Sequence, residues 1–179
     1  MAKLDPLEGY VLNTHDLTRA AGESKHYELS LAPKKDFTNG ALEIREDDEV
    51  KLSLLLESVV DGILVTGTAT AVASGECSRC LDPVRLEITG EIADLYAYPD
   101  KEILTDEADE VREMVGDLLD LEPAVRDALV LAMPLRPLCN DMCLGLCGQC
   151  GIRLEDAPDH VHEVIDPRWA KLTELKKEN

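Results

Sequence analysis

Six cysteines in two clusters constrain this chain more than any other feature. Cys77 and Cys80 form one Cys-x2-Cys pair, and Cys139, Cys143, Cys147 and Cys150 form a second group that ends in another Cys-x2-Cys pair. Cys-x2-Cys is the spacing of a metal knuckle, a tight turn that points two thiolates at one tetrahedral ion. The pairs 77/80 and 147/150 together can supply the four sulfurs of a closed zinc site. Gly148 and Gly151 lie in and just after the last pair, where a knuckle needs permissive backbone and N–H groups turned toward sulfur. Six thiols exceed one tetrahedral site, so Cys139 and Cys143 are either spare or exchange with the other ligands. His160 and His162 follow the last pair and are candidate auxiliary ligands, although polar loop histidines beside a knuckle are more often solvent-exposed.

The compartment favours metal over disulfides. The N-terminal Met-Ala-Lys-Leu-Asp-Pro carries no apolar run, and no stretch is long enough to span a membrane. A cytoplasmic location, where thiols stay reduced, is the expectation. Two redox alternatives fit less well. The Cys143-x3-Cys147-x2-Cys150 spacing is that of radical-SAM iron–sulfur enzymes, but those carry a large α/β barrel after the motif. Here 29 residues follow Cys150, and Gln149 stands where an aromatic is expected. A thioredoxin-type pair sits at a helix start, whereas Cys77 and Cys80 lie between two strand patterns. A closed all-sulfur site leaves no open position for water or substrate, so the zinc is expected to be structural, and one ion suffices.

Net charge is −19, from 18 basic and 37 acidic residues, and aromatics make up 3% of the chain. Extensive binding to phosphate backbones requires a basic footprint, and base stacking requires aromatic platforms. Both are scarce. A basic protein partner is favoured instead, because opposite charges steer encounter.

Hydrophobic alternation predicts strands over Tyr10–Leu12, His26–Ala32 and Ala41–Arg45. It predicts a three-stranded antiparallel meander over 50–60, 63–75 and 84–98, with a hairpin turn at Asp61-Gly62 and the first Cys pair at one tip. The small residues of the middle strand indicate close packing or a barrel corner, and Gly90 marks a candidate bulge. Residues 99–119 read as an acidic loop; Asp100 to Glu122 holds ten acidic and two basic residues. A helix over 120–133 is expected, capped by Asp120, with Leu121, Val125, Ala128, Leu129 and Ala132 as its apolar stripe. A terminal helix over 166–177 opens with Asp166-Pro167 and carries Arg168 and Trp169. The expectation is one α+β domain over 1–179: residues 1–98 mainly β as an antiparallel sheet or partial barrel, one packed helix, a Cys-rich zinc knuckle at 139–151, and the terminal helix. A metal joining the two Cys clusters closes a loop of about 60–70 residues, a substantial constraint on the unfolded chain.

Several segments taken in order carry a resemblance. They are Cys77-Ser78-Arg79-Cys80-Leu81-Asp82-Pro83, Pro134-Leu135-x-Pro137-Leu138-Cys139, Gly145-Leu146-Cys147-x2-Cys150-Gly151 and Asp166-Pro167-Arg168-Trp169-Ala170. Together they resemble the YceD-like family, the large ribosomal RNA subunit accumulation proteins, in their actinobacterial form. The resemblance spans nearly the whole chain. It implies a bacterial cytoplasmic factor acting in large-subunit assembly, with a subunit precursor or a basic ribosomal protein as partner. Some members keep the first pair and a His/Cys version of 139 and 143 but lack the Gly-Leu-Cys-x2-Cys run, so the pair that completes the site stays open. Arg79, Arg168 and Trp169 are candidate partner contacts, with other arginines available for local RNA contact. The competing reading is an enzyme acting on precursor ribosomal RNA. The carboxylates fall in acidic loops without a convincing His or Lys, and no phosphate-cradling loop or nucleophile elbow is present. A zinc-dependent regulatory protein is a third reading.

Overall fold

The computed structural model describes residues 9–17, 19–101 and 111–162. The expected terminal helix, with Arg168 and Trp169, and residues 102–110 of the acidic 99–119 segment lie outside the described residues. The described residues form nine strands and one helix: β1 (Val11–Asn13), β2 (Ser24–Leu31), β3 (Phe37–Thr38), β4 (Leu42–Ile44), β5 (Val50–Ser58), β6 (Gly62–Glu76), β7 (Pro83–Ala97), β8 (Arg112–Glu113), β9 (Leu118–Asp120) and α1 (Glu122–Ala132).

The meander read from the sequence is present as β5–β6–β7. Strands β6 and β7 pair antiparallel over their whole length, from Gly62 opposite Ala97 to Glu76 opposite Pro83. On its other side β6 pairs with β5 as far as Ala71, and then with β4 at Ser74 and Gly75. Strand β2 extends the sheet beyond β5, and β3 beyond β4, giving seven strands in all; β1 and β9 form a separate ribbon. The alternation settles which face is inside. Val50, Leu52, Leu54 and Leu56 of β5 are buried, as are Val84, Ile88 and Ile92 of β7. On the outer face Thr70 and Thr89 pair their hydroxyls across the strands.

The sheet is not closed into a partial barrel: β2 and β8 end it without pairing to one another. The helix and the β1–β9 ribbon cover the apolar face instead, which removes the need for closure. Ala69, Ala71 and Ala73 are buried on that face, and Ala69 stands opposite Gly90. Gly90 is therefore no bulge. It sits within an unbroken strand, where a Cβ would lie 2.4 Å from the Ala128 carbonyl oxygen. The small residues provide a flat floor on which α1 rests.

Helix α1 begins at Glu122, with Leu121 at the N-cap position and Pro123 in the first turn. Asp120 does not occupy the cap itself; its carboxylate accepts the Glu122 N–H one residue earlier. The buried stripe is Leu121, Ala124, Val125 and Leu129, whereas Ala132, expected on it, is exposed. At the far end the Asn39 amide donates to the Met133 carbonyl, satisfying one of the last-turn acceptors. The Tyr96 hydroxyl donates to the Asp120 carbonyl, and Arg112 bridges Asp94 of β7 and Asp127 of α1. The 99–119 segment is not loop throughout, since Arg112–Glu113 and Leu118–Asp120 are strands.

Gly90→Ala places a methyl group into the helix backbone and is expected to cost about 1–3 kcal/mol of stability. Urea unfolding followed by circular dichroism should show a lower midpoint at unchanged slope.

Candidate metal centres

The first Cys pair is the turn between β6 and β7. Within it the Cys77 N–H donates to the Asp82 carbonyl (2.7 Å), and the Leu81 N–H donates back to the Cys77 carbonyl (2.9 Å). Leu81 adopts φ +63° to make this turn, a left-handed conformation that costs a leucine about 1–2 kcal/mol. The segment after α1 then runs to this tip: the Ser78 N–H donates to the Pro137 carbonyl at 2.8 Å, which brings Cys139 and Cys143 alongside. The Cys77 and Cys143 Sγ atoms lie 3.8 Å apart, and those of Cys80 and Cys139 lie 3.6 Å apart. All four sulfurs fall within 4.8 Å of one another.

A zinc ion with Zn–S bonds of about 2.3 Å requires sulfurs about 3.8 Å apart on a tetrahedron. The four thiols fit that group. Their electrostatics agree. Backbone N–H groups, that of Cys80 foremost, draw the Cys77 thiol down to about 6 against the opposing effect of burial. The Asp82 N–H pulls Cys80 the same way, yet burial and the neighbouring sulfurs of Cys77, Cys139 and Cys143 push it up to about 12. The Cys139 thiol is also raised, chiefly by Cys143. One thiolate forms easily and obstructs the others, so a full set of four needs a cation to neutralise it.

The ligand grouping differs from the one favoured by spacing. Cys77 and Cys80 meet Cys139 and Cys143, not Cys147 and Cys150. The chain places the last pair in a second cluster, with His160 and His162, and these four donor atoms also lie within 4.8 Å of one another. The two histidines are half-buried rather than fully solvent-exposed. The pattern that marks them in the sequence is a His-x-His following a Cys-x2-Cys within one loop's reach.

The two clusters are stacked. The Leu146 N–H donates to the Arg79 carbonyl at 3.0 Å, and Arg153 pairs with Asp82, holding that carboxyl below the usual carboxylate range. The Arg79 guanidinium donates to the Cys143 carbonyl at 2.8 Å, so this candidate partner contact is engaged within the centre itself. Gly145 makes the stacking possible. Its φ is +77°, and a Cβ would lie 2.9 Å from the Arg79 carbonyl oxygen.

Residues 65–176 match the family model described as large ribosomal RNA subunit accumulation protein YceD, and the chain belongs to that family. Among curated proteins it is 50% identical over 125 residues to the uncharacterized proteins Mb2951c of Mycobacterium bovis and Rv2926c of Mycobacterium tuberculosis, covering 69% of this chain and 60% of each relative. It is 41% identical over 127 residues to the uncharacterized protein ML1660 of Mycobacterium leprae, covering 70% of this chain and 58% of that relative. The chain thus spans about three fifths of the length of the curated relatives it matches. No solved structure matches. No helix among the described residues is long and apolar enough to cross a membrane.

Gly145→Ala should separate the two clusters at a cost of roughly 1–3 kcal/mol. Hydrogen exchange resolved by residue should quicken at the N–H groups of Leu146 and Leu154, which donate to Arg79 and Gly145, while the β6–β7 ladder keeps its protection.

Proposed function

We propose that this chain is a non-catalytic factor that supports assembly of the large ribosomal subunit and accumulation of its 23S RNA. Membership of a family described by large ribosomal RNA subunit accumulation carries this reading. The charge balance supports a mode of action through protein. At net −19 the chain is repelled by exposed phosphate and attracted to basic ribosomal proteins, whether free or already seated on a precursor particle. RNA contact in this reading is local and limited to isolated arginines. Arg168 and Trp169 are the partner contacts, an aromatic anchor next to a cation. Arg79 contributes by shaping the centre beside it.

Zinc held by Cys77, Cys80, Cys139 and Cys143 has a structural role in this scheme. Three of the four thiols are buried, and a full thiolate set leaves no position for a reacting water. The ion ties the tip of the β6–β7 hairpin to the segment that leaves α1. The factor then acts from the cytoplasm by docking.

Tagged protein sedimented from growing cells through a low-salt sucrose gradient is expected to travel with large-subunit precursors. Raising the salt should release it, because contacts between exposed charges are screened. Cys77→Ser/Cys143→Ser should lower both zinc content, read by mass spectrometry of the metal, and co-sedimentation. Protein that stays at the top of the gradient even when assembly is slowed overturns docking on a precursor.

A further inference from the structure

We propose that Cys147, Cys150, His160 and His162 form a second metal centre, a Cys2His2 site for a zinc-class divalent cation, distinct from the four-thiol centre. Three observations carry it.

The first is donor convergence. The Cys150 Sγ lies 3.2 Å from the Nε2 of both His160 and His162, and the two Nε2 atoms are 2.7 Å apart. The rings meet edge to face at 87°. All the ring atoms that converge are nitrogens able to ligate a metal, and they turn toward sulfur. Tetrahedral zinc with two sulfurs and two nitrogens needs donor separations of about 3.3–3.8 Å, so a bound ion would open this cluster by a few tenths of an ångström.

The second is a repeated backbone. Around Cys77, the residue's N–H donates to the carbonyl five residues on, and the N–H four residues on donates back to its carbonyl. Around Cys147 the same two bonds recur, Cys147 N–H to Ile152 at 2.8 Å and Gly151 N–H to Cys147 at 2.9 Å. The residue after the second cysteine is left-handed in both turns, Leu81 at φ +63° and Gly151 at +73°. The chain therefore builds the same knuckle twice, and the second is completed by imidazoles where the first is completed by thiols.

The third is that apolar burial does not account for the convergence. Ile152 and Val161 are 41% and 83% exposed, and residues 145–162 hold one isolated β-bridge, Leu146 with Arg153, as regular structure. Apolar burial does not gather these four side chains. Metal ligation supplies the ordering free energy that such a segment otherwise lacks.

The donor sets also make the two sites chemically unequal. Four thiolates on a divalent ion leave two negative charges, which the adjoining backbone N–H groups and Arg79 face. Two thiolates and two neutral imidazoles leave none. Three sulfurs of the first site are buried, whereas Cys150 is exposed. The second ion is therefore the one a chelator reaches first.

The test is metal stoichiometry on the full chain, purified reduced and saturated with zinc, then repeated with Co²⁺. Wild-type protein should hold about two equivalents and His160→Gln/His162→Gln about one, with unchanged sheet circular dichroism. Co²⁺-loaded wild type should show thiolate-to-cobalt charge transfer from six sulfurs rather than four, and a colorimetric chelator should remove the metal in two phases. Cys77→Ser/Cys143→Ser should lose the other equivalent and keep the histidine-dependent one, which separates this site from the structural zinc. One equivalent in wild type, unaltered by His160→Gln/His162→Gln, overturns the proposal. So does a second equivalent that survives the histidine substitutions.

Discussion

The unbroken antiparallel pairing of β6 with β7 is the constraint on which the rest depends. Fifteen residues of β6 run from Gly62 to Glu76 against fifteen of β7, so the turn between them is projected well away from Asp61. That turn is Cys77 to Asp82. Slipping β7 by one residue against β6 would exchange its buried and exposed faces, and would turn Gly90 away from α1. The same register thus positions the first two thiols and prepares the floor for the helix. The helix in turn delivers Cys139 and Cys143 to the tip of the hairpin from which the floor was built.

Around that tip the chain accepts backbone conformations it avoids elsewhere. Leu81 is the one non-glycine residue with positive φ among the described residues, and it lies directly after Cys80. Nothing in sheet packing calls for a leucine in that conformation. The turn that aims the Cys77 and Cys80 sulfurs into the cluster does. Crowded thiols compound the cost, since drawing Cys77 down leaves Cys80 raised. A centre of this kind can hold all four thiolates together only with a cation to neutralise them.

Charge gives the complementary half of the picture. Among the described residues the ion pairs are mostly exposed, as with Arg19–Asp100 and Lys51–Glu49. Pairs of that kind add little to stability. The surplus of carboxylates is therefore a property of the surface rather than what holds the fold together. The more sheltered contacts, Arg112 between Asp94 and Asp127, instead hold α1 against β7.

The sequence alone determined the elements with strong local signals. Alternation in Val50–Leu56 and Val84–Ile92 specified strands and their inner faces, Asp61-Gly62 specified the hairpin, and Pro123 and Pro134 bracketed the helix. It also marked both knuckles, because Cys-x2-Cys is a local pattern. Tertiary structure decided what depends on distance. Spacing treats the two Cys-x2-Cys pairs as natural mates, yet the path of α1 carries Cys139 and Cys143 to the first knuckle and leaves the second to His160 and His162. Gly90 reads as a bulge in one dimension and becomes a helix contact in three, because only the packed helix supplies the carbonyl that excludes a side chain. Of the two forms the sequence left open, antiparallel sheet or partial barrel, the structure shows the sheet without closure: whether an edge pairs or is covered depends on what other elements arrive, and no single strand encodes that.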